Sequence, residues 1–197
     1  MNYQTSALWF YSPLYYLAAL LCLGLTFFGL SSPLFYLMVM GLAFPVIIAM
    51  RLHTLSEAGN AWLIRDRENW LVYVNGIPVQ EQRSTLQNPC FATPERLKQF
   101  YLRGFGARLI VQLVAVVMLL TQWHDTEWLS VKAVAVAIIF CLLLWLIKST
   151  IGTLRSINAQ QWEIQAITSP GGQHWYQAFF SDGKRARSAL SQLCSVV

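Results

Sequence analysis

The stretch LYYLAALLCLGLTFFGLSSPLFYLMVMGLAFPVIIAM, from Leu14 to Met50, decides the fold class of this chain. It is apolar over nearly its whole length, and residues 1–50 contain no Asp, Glu, Lys, Arg or His. An ordinary soluble domain carries about 25% charged residues. This chain of 197 residues carries 12% and is 56% hydrophobic. A soluble domain needs charge on its exposed faces, so the sequence predicts an α-helical polytopic membrane protein.

Four apolar runs predict four transmembrane helices, arranged as two helical hairpins. The runs are roughly Leu14 to Leu30, Leu34 to Met50, Phe105 to Gln122 and Leu129 to Ile147. A helix needs about 20 residues to cross a hydrocarbon core of about 30 Å. The last two runs reach that length only if Arg108 and Lys132 extend towards opposite interfaces, as long basic side chains near helix ends can do.

The positions of the basic residues predict the orientation. Of the 14 Lys and Arg residues, all but Lys132 lie in segments 51–108 and 148–187. Basic loops stay on the cytoplasmic side, so both segments and both termini are expected in the cytoplasm. This arrangement is typical of a multi-pass protein of the bacterial cytoplasmic (inner) membrane.

The two basic segments resemble each other. Each has a Thr-Leu pair, a polar helical stretch and a tryptophan, which is Trp62 in the first and Trp162 in the second. A second tryptophan then opens a strand-like run, at Trp70 and at Trp175. The resemblance predicts a tandem repeat of two units in the same orientation, related by a pseudo-twofold axis along the membrane normal.

The expected boundary between the repeats lies at residue 104. The first repeat, 1–104, would contain a transmembrane hairpin at about 14–50, then a cytoplasmic β-element and an interfacial helix within 51–104. The interfacial helix would begin at Pro94 and bend into the membrane at Gly104 and Gly106. The second repeat, 105–197, would contain a transmembrane hairpin at about 105–147 and a cytoplasmic β-element within 148–197.

Tight turns predict a small β-hairpin or meander in each cytoplasmic segment. Asn75-Gly76 and Asp182-Gly183 stand between strand-like runs, and these residue pairs tolerate the positive φ of a two-residue turn. A lone two-stranded hairpin is marginally stable in water. Strands from both copies are therefore expected to complete one sheet beneath the bilayer.

Four tryptophans are the candidate residues for binding a protein partner. These are Trp62, Trp70, Trp162 and Trp175. They would form the core of the sheet, a lipid-facing skirt or the apolar face that meets a partner. Another copy of this chain is an equally suitable partner.

A basic cluster, Lys184, Arg185 and Arg187, is the candidate site for anionic lipid headgroups, each residue contributing about 1 kcal/mol if it lies near the surface. A solvated turn is the alternative. Three basic residues without an aromatic platform do not predict nucleic-acid binding.

Few residues point to catalysis or transport. His53 and Glu57 lie four apart and would share a helix face, as a general base pair or simply as a solvated surface. Gln112 is the one strongly polar side chain well inside an apolar run, and a single Gln more often bonds between helices than conducts ions. The spacing of the four cysteines predicts no metal site and no disulfide, and no cofactor is expected.

The sequence therefore favours a non-catalytic accessory or scaffold subunit of a membrane complex, such as a secretion, conjugation or respiratory assembly. It would bind a protein partner, or itself, through its duplicated cytoplasmic β-elements. The alternatives are a small oligomeric transporter or channel, and a membrane enzyme using His53 and Glu57.

Overall fold

The described part of the chain is mostly helical, with three helices long and apolar enough to cross a membrane, a small antiparallel sheet and a separate β-hairpin. The computed structural model describes residues 13–74, 77–86, 88–123, 131–169, 172–181 and 186–196. The three long apolar helices cover Ser32–Glu57, Pro94–Trp123 and Lys132–Asn158. A membrane protein is the architecture that these helices support.

The helices follow the apolar runs of the sequence. They are α1 (Pro13–Phe27), α2 (Ser32–Met38), α3 (Phe44–Glu57), α4 (Pro94–Trp123), α5 (Val131–Asn158) and the short α6 (Ala189–Cys194). Helix α1 has 15 residues and is about 22 Å long at 1.5 Å per residue, which is short of a bilayer core. The predicted fourth span is therefore not confirmed.

Helices α2 and α3 form one rod joined by a π-helical turn, Val39–Ala43. The turn precedes Pro45, which has no N–H and whose ring would clash with the carbonyl of Gly41 in a regular α-helix. The wider π-helical turn relieves this clash. In it, the N–H of Phe44 donates to the carbonyl of Val39, five residues back, instead of to the carbonyl four residues back. Gly41 also lets α1 approach, since a Cβ there would lie 2.9 Å from the hydroxyl of Tyr15.

Strands from both halves of the chain form one five-stranded antiparallel sheet. Its strands are β1 (Ala61–Trp62), β4 (Cys90–Phe91), β5 (Glu163–Thr168), β6 (His174–Ser181) and β7 (Ala186–Ser188). The order is β1-β4-β6-β5, with β7 also paired to β6. Phe91 of β4 lies opposite Tyr176 of β6, and this pairing joins the two halves.

The hairpin predicted at Asn75-Gly76 is present and longer than expected. Strands β2 (Arg65–Val74) and β3 (Ile77–Leu86) pair over ten residues each, with Val74 opposite Ile77. The pairing leaves the two residues 75 and 76, themselves outside the described residues, as the connection. Among the strands that the structure describes, β2 and β3 pair with each other and stand apart from the five-stranded sheet.

The tandem repeat is not confirmed, because strand pairing differs between the halves. In the second half, β5 and β6 form a hairpin inside the sheet, closed where the N–H of Ser169 bonds the carbonyl of Gln173 at 2.8 Å. In the first half, the long hairpin stands alone and short β1 and β4 enter the sheet. The second predicted turn, Asp182-Gly183, lies outside the described residues.

Helix α4 runs unbroken through Gly104 and Gly106. The predicted interfacial helix and third span are one helix, and the boundary predicted at residue 104 falls inside it. A glycine inside a helix costs only about 1 kcal/mol relative to Ala. Gly104 instead accommodates a close neighbour, because a Cβ there would lie 2.9 Å from Cδ2 of Leu193.

The packing of the helix rod predicts unequal effects of two truncations on α3. Leu52 is fully buried, whereas Met50 is 66% exposed on the same helix. Leu52→Ala should lower the free energy of unfolding by about 2–4 kcal/mol by leaving a cavity. Met50→Ala should change it by less than about 0.5 kcal/mol. Thermal unfolding in mild detergent measures both variants, and equal midpoints would contradict the packing of α3.

Candidate functional site

Two of the four candidate tryptophans stack across the sheet. Trp62 of β1 and Trp175 of β6 have ring centroids 6.1 Å apart with their planes tilted by 50°. Both are half-buried, and they come from different halves of the chain. The pair helps hold the two halves together and presents its remaining surface outward.

Trp162 lies in the core instead of on the surface. It is only 8% exposed, with its ring 5.9 Å from Tyr101 and 6.0 Å from Phe180. Its indole N–H is buried, with no hydrogen-bond partner in the described part of the chain. The structure therefore places this tryptophan under the sheet, where it supports β6 against α4 and offers little surface to a partner.

Trp70 lies on β2 of the separate hairpin, directly opposite Glu81 of β3. Strand β2 pairs with β3 and is not part of the five-stranded sheet that holds Trp62 and Trp175.

An aromatic layer connects α4 to the sheet. Tyr101 is fully buried and meets Phe100 and Phe91 at centroid distances of 5.3 and 6.3 Å. Its hydroxyl donates to Oδ1 of Asn88 at 3.1 Å, and the amide of Asn88 donates to the carbonyl of Ala178 in β6. One buried amide therefore joins the helix to a strand from the other half of the chain, and each polar group is satisfied.

Arg108 is buried and binds the C-terminal segment, which corrects the expectation that it extends to the membrane interface. Its side chain is 4% exposed, and Nη1 donates to the carbonyl of Gln192 at 2.7 Å. Weaker bonds reach the carbonyl of Leu193 at 3.5 Å and the hydroxyl of Ser195 at 3.4 Å. A guanidinium at the carboxyl end of α6 satisfies carbonyls that the helix leaves unpaired.

A polar cavity of about 640 Å³ lies beside Arg108, between α5 and the C-terminal strand and helix. Arg187, one of the three predicted lipid-binding residues, also borders it. The other polar lining consists of Ser149, Thr150, Thr153, Ser156, Ser191, Gln192 and Ser195. Guanidinium and hydroxyl groups in one cavity suit water or a small anion. Lys184 and Arg185 lie outside the described residues.

His53 and Glu57 meet as predicted, with Nδ1 of His53 3.4 Å from Oε1 of Glu57. The Glu57 side chain is 70% exposed. Neither residue borders the polar cavity. The contact is what a solvated helix face provides through an i,i+4 pair.

Two buried thiols, Cys90 and Cys194, and the buried amide of Gln112 are further candidates for chemistry. Burial raises the pKa of the Cys90 thiol to about 11 and that of Cys194 to about 12. Both stay protonated at neutral pH, and the thiolate is the nucleophilic form. Gln112 is fully buried, neither of its amide atoms bonds any residue that the structure describes, and it does not border the polar cavity.

Sequence reasoning did not identify the polar cavity. Arg108 and Gln192 are 84 residues apart, and no short motif signals their contact.

Comparisons with protein-family models, with curated proteins and with solved structures found no match to this chain.

The bonds of Arg108 predict that its loss releases the C-terminal segment. Arg108→Met keeps the length of the side chain and removes its hydrogen bonds, at a cost of about 1.5–3 kcal/mol for bonds to a charged group. Limited proteolysis should then remove a C-terminal tag several times faster than in the unmodified chain. Arg155→Met, an exposed arginine on α5, is the control and should leave the rate unchanged. Equal rates for the two variants would contradict the role of Arg108.

Proposed function

We propose that this chain is a non-catalytic accessory or scaffold subunit of a bacterial cytoplasmic membrane, and that it binds a protein partner or a second copy of itself. The observation that carries this proposal is the separate β2–β3 hairpin. Its ten-residue strands are about 33 Å long, and two-stranded hairpins alone are marginally stable in water. A partner that covers the hairpin supplies the missing burial.

The register of the hairpin supports docking through one face. Residues directly opposite each other in an antiparallel pair share a face. Val72 pairs with Val79, and Val74 pairs with Ile77, so the register places these four residues on one face with Trp70 and Glu81. The opposite face carries Asn69 with Gln82, but also Leu71 with Gln80 and Tyr73 with Pro78. The face with the four aliphatic residues is the more apolar one near the turn, and an apolar face is typical of a surface that meets another protein.

The edge of the five-stranded sheet offers a second contact. Strand β5 ends the sheet order, and most of its residues are exposed, including Ile164 at 39%. An open edge strand presents unpaired N–H and C=O groups that another strand can pair with. The Trp62–Trp175 pair lies in the same sheet, so a partner that extends from β5 can reach it.

The apolar face predicts which hairpin residues a partner needs. Val72→Asn with Val79→Asn should reduce recovery of the partner at least about tenfold, equivalent to 1.4 kcal/mol, because polar groups replace its apolar contact. Asn69→Ser with Gln82→Ser changes the other face and should have little effect. Recovery is measured by co-purification in mild detergent from cells that also express a second, differently tagged copy.

A photo-reactive amino acid at position 72 should crosslink one defined protein, or the second copy. The same group at position 69 should not. Equal recovery with both double variants, or the same crosslinks from both positions, would contradict docking through this face.

The proposed topology has four spans, with α1 as the first and with both termini in the cytoplasm. Positive-inside bias supports it, because segments 51–108 and 148–187 hold all but one of the basic residues. The order of elements, a helix pair followed by strands in each half, supports a tandem duplication with parallel units. Both units would then enter the membrane from the same side.

Reporter fusions distinguish four spans from three. With four spans, reporters at the N-terminus, at position 75 and at position 182 should all report the cytoplasm. With three spans, the N-terminal reporter should lie on the opposite side from position 75. A reporter at position 126, in the short segment between α4 and α5, serves as the external control. Opposite locations for positions 75 and 182 would also contradict the proposed topology.

A further inference from the structure

Helices α3 and α4 border a groove that is separate from the polar cavity beside Arg108. It encloses about 690 Å³. One end lies near the sheet, where Asn60 and Phe91 border it, and the other end reaches Val39 and Val111 in the apolar helices. The groove therefore runs from the sheet side of the helix bundle into the part of the helices that crosses the membrane.

The two ends of the groove differ in chemistry. Three arginines, Arg51, Arg96 and Arg103, border the end nearer the sheet, together with Thr54 and Gln99. The remaining part is apolar and is lined by Val39, Phe44, Ile47, Ile48, Ala107 and Val111. A ligand that fits this gradient has an anionic group at one end and a hydrocarbon chain at the other.

The length of the groove matches one leaflet of a bilayer. Arg51 and Val39 lie on the same helical rod, and twelve residues at 1.5 Å each give about 18 Å. Half of a hydrocarbon core of about 30 Å is about 15 Å. An acyl chain that begins beside the arginines therefore ends near Val39, close to the middle of the membrane.

Among the residues whose side chains the structure describes, no acid neutralises the charge at the arginine end. No Asp or Glu stands among the described residues that border the groove. Arg96 donates to Oδ1 of Asn60, a neutral group. Arg51 and Arg103 are exposed, and no carboxylate among the described residues forms an ion pair with either. Three positive charges at headgroup level favour a lipid with net negative charge over a zwitterionic one.

We infer that this groove binds one anionic glycerophospholipid, with its phosphate at Arg51, Arg96 and Arg103 and one acyl chain along Ile47, Ala107 and Val111. A transmembrane helix of a partner would fill the apolar part and leave the three charges unpaired. The lipid satisfies both ends at once. The inference does not depend on the proposed docking hairpin.

Binding to the purified, delipidated chain tests the inference. Native mass spectrometry counts the lipids retained on titration with phosphatidylglycerol or with phosphatidylcholine of the same acyl chains. The unmodified chain should retain one phosphatidylglycerol with markedly higher affinity than phosphatidylcholine. Arg51→Gln with Arg103→Gln should weaken that binding roughly 25-fold, from about 1 kcal/mol for each arginine.

Matched controls separate a built site from general surface charge. Lys148→Gln with Arg155→Gln removes two exposed positive charges from the same end of α5, away from the groove, and should keep phosphatidylglycerol binding within about twofold. Equal affinity for the two lipids overturns the inference. An equal loss in the α5 variant also overturns it, because binding then follows net charge.

Filling the apolar part tests the acyl chain. Ala107→Phe should abolish the single tight site, whereas Ile110→Phe, on a lipid-facing position of α4 at 63% exposure, should not. Thermal unfolding checks that both variants fold. Unchanged binding in Ala107→Phe places the lipid outside the groove and overturns the inference. If Ala107→Phe loses self-association and keeps lipid binding, the inference is also overturned, because the groove then holds a second copy of the chain.

Discussion

The buried contact of Tyr101 with Asn88 holds the rest of the structure together. Tyr101 lies on α4, the helix that packs against the membrane helices and also supports the sheet. Its ring meets aromatic residues from both halves, Phe91 and Trp162, and its hydroxyl meets Asn88. Asn88 in turn bonds β6. The sheet lies outside the apolar part of the helices, where open strand edges are tolerated. The α4 contact is therefore what fixes its position against the bundle.

The C-terminal segment closes the same structure from the other side. Arg108 binds the end of α6, and the hydroxyl of Tyr36 donates to the carbonyl of Val196 at 3.1 Å. Leu193 packs where Gly104 leaves room. Two membrane helices thus hold a short segment that is mostly buried. The polar cavity lies between this segment and α5, which Gln192 reaches through a hydrogen bond to Thr153 at 3.4 Å.

Local patterns in the sequence predicted the long apolar helices and the first hairpin, since hydrophobic runs and an Asn-Gly turn act over a few residues. They also predicted one sheet shared by both halves, but the strands that join it from the first half are β1 and β4 and not the predicted hairpin. They did not predict the burial of Arg108, and they left the burial of Trp162 as one of three alternatives, because the partners of both side chains lie far away along the chain. The π-helical turn before Pro45 follows from a clash that a hydropathy pattern does not contain. The groove was missed because its arginines come from two separate helices.

The bond between Asn88 and Ala178 spans 90 residues of sequence. At 5 to 20 residues per second, a ribosome needs roughly 5 to 20 s to add that length. Helices form in about a microsecond, so α2 and α3 are complete long before the strands that follow them find their partners. During those seconds β4 has an open edge and Asn88 has an unpaired amide. A nascent chain at this stage therefore exposes a strand edge that can pair with another chain, as folding intermediates with unpaired edges do.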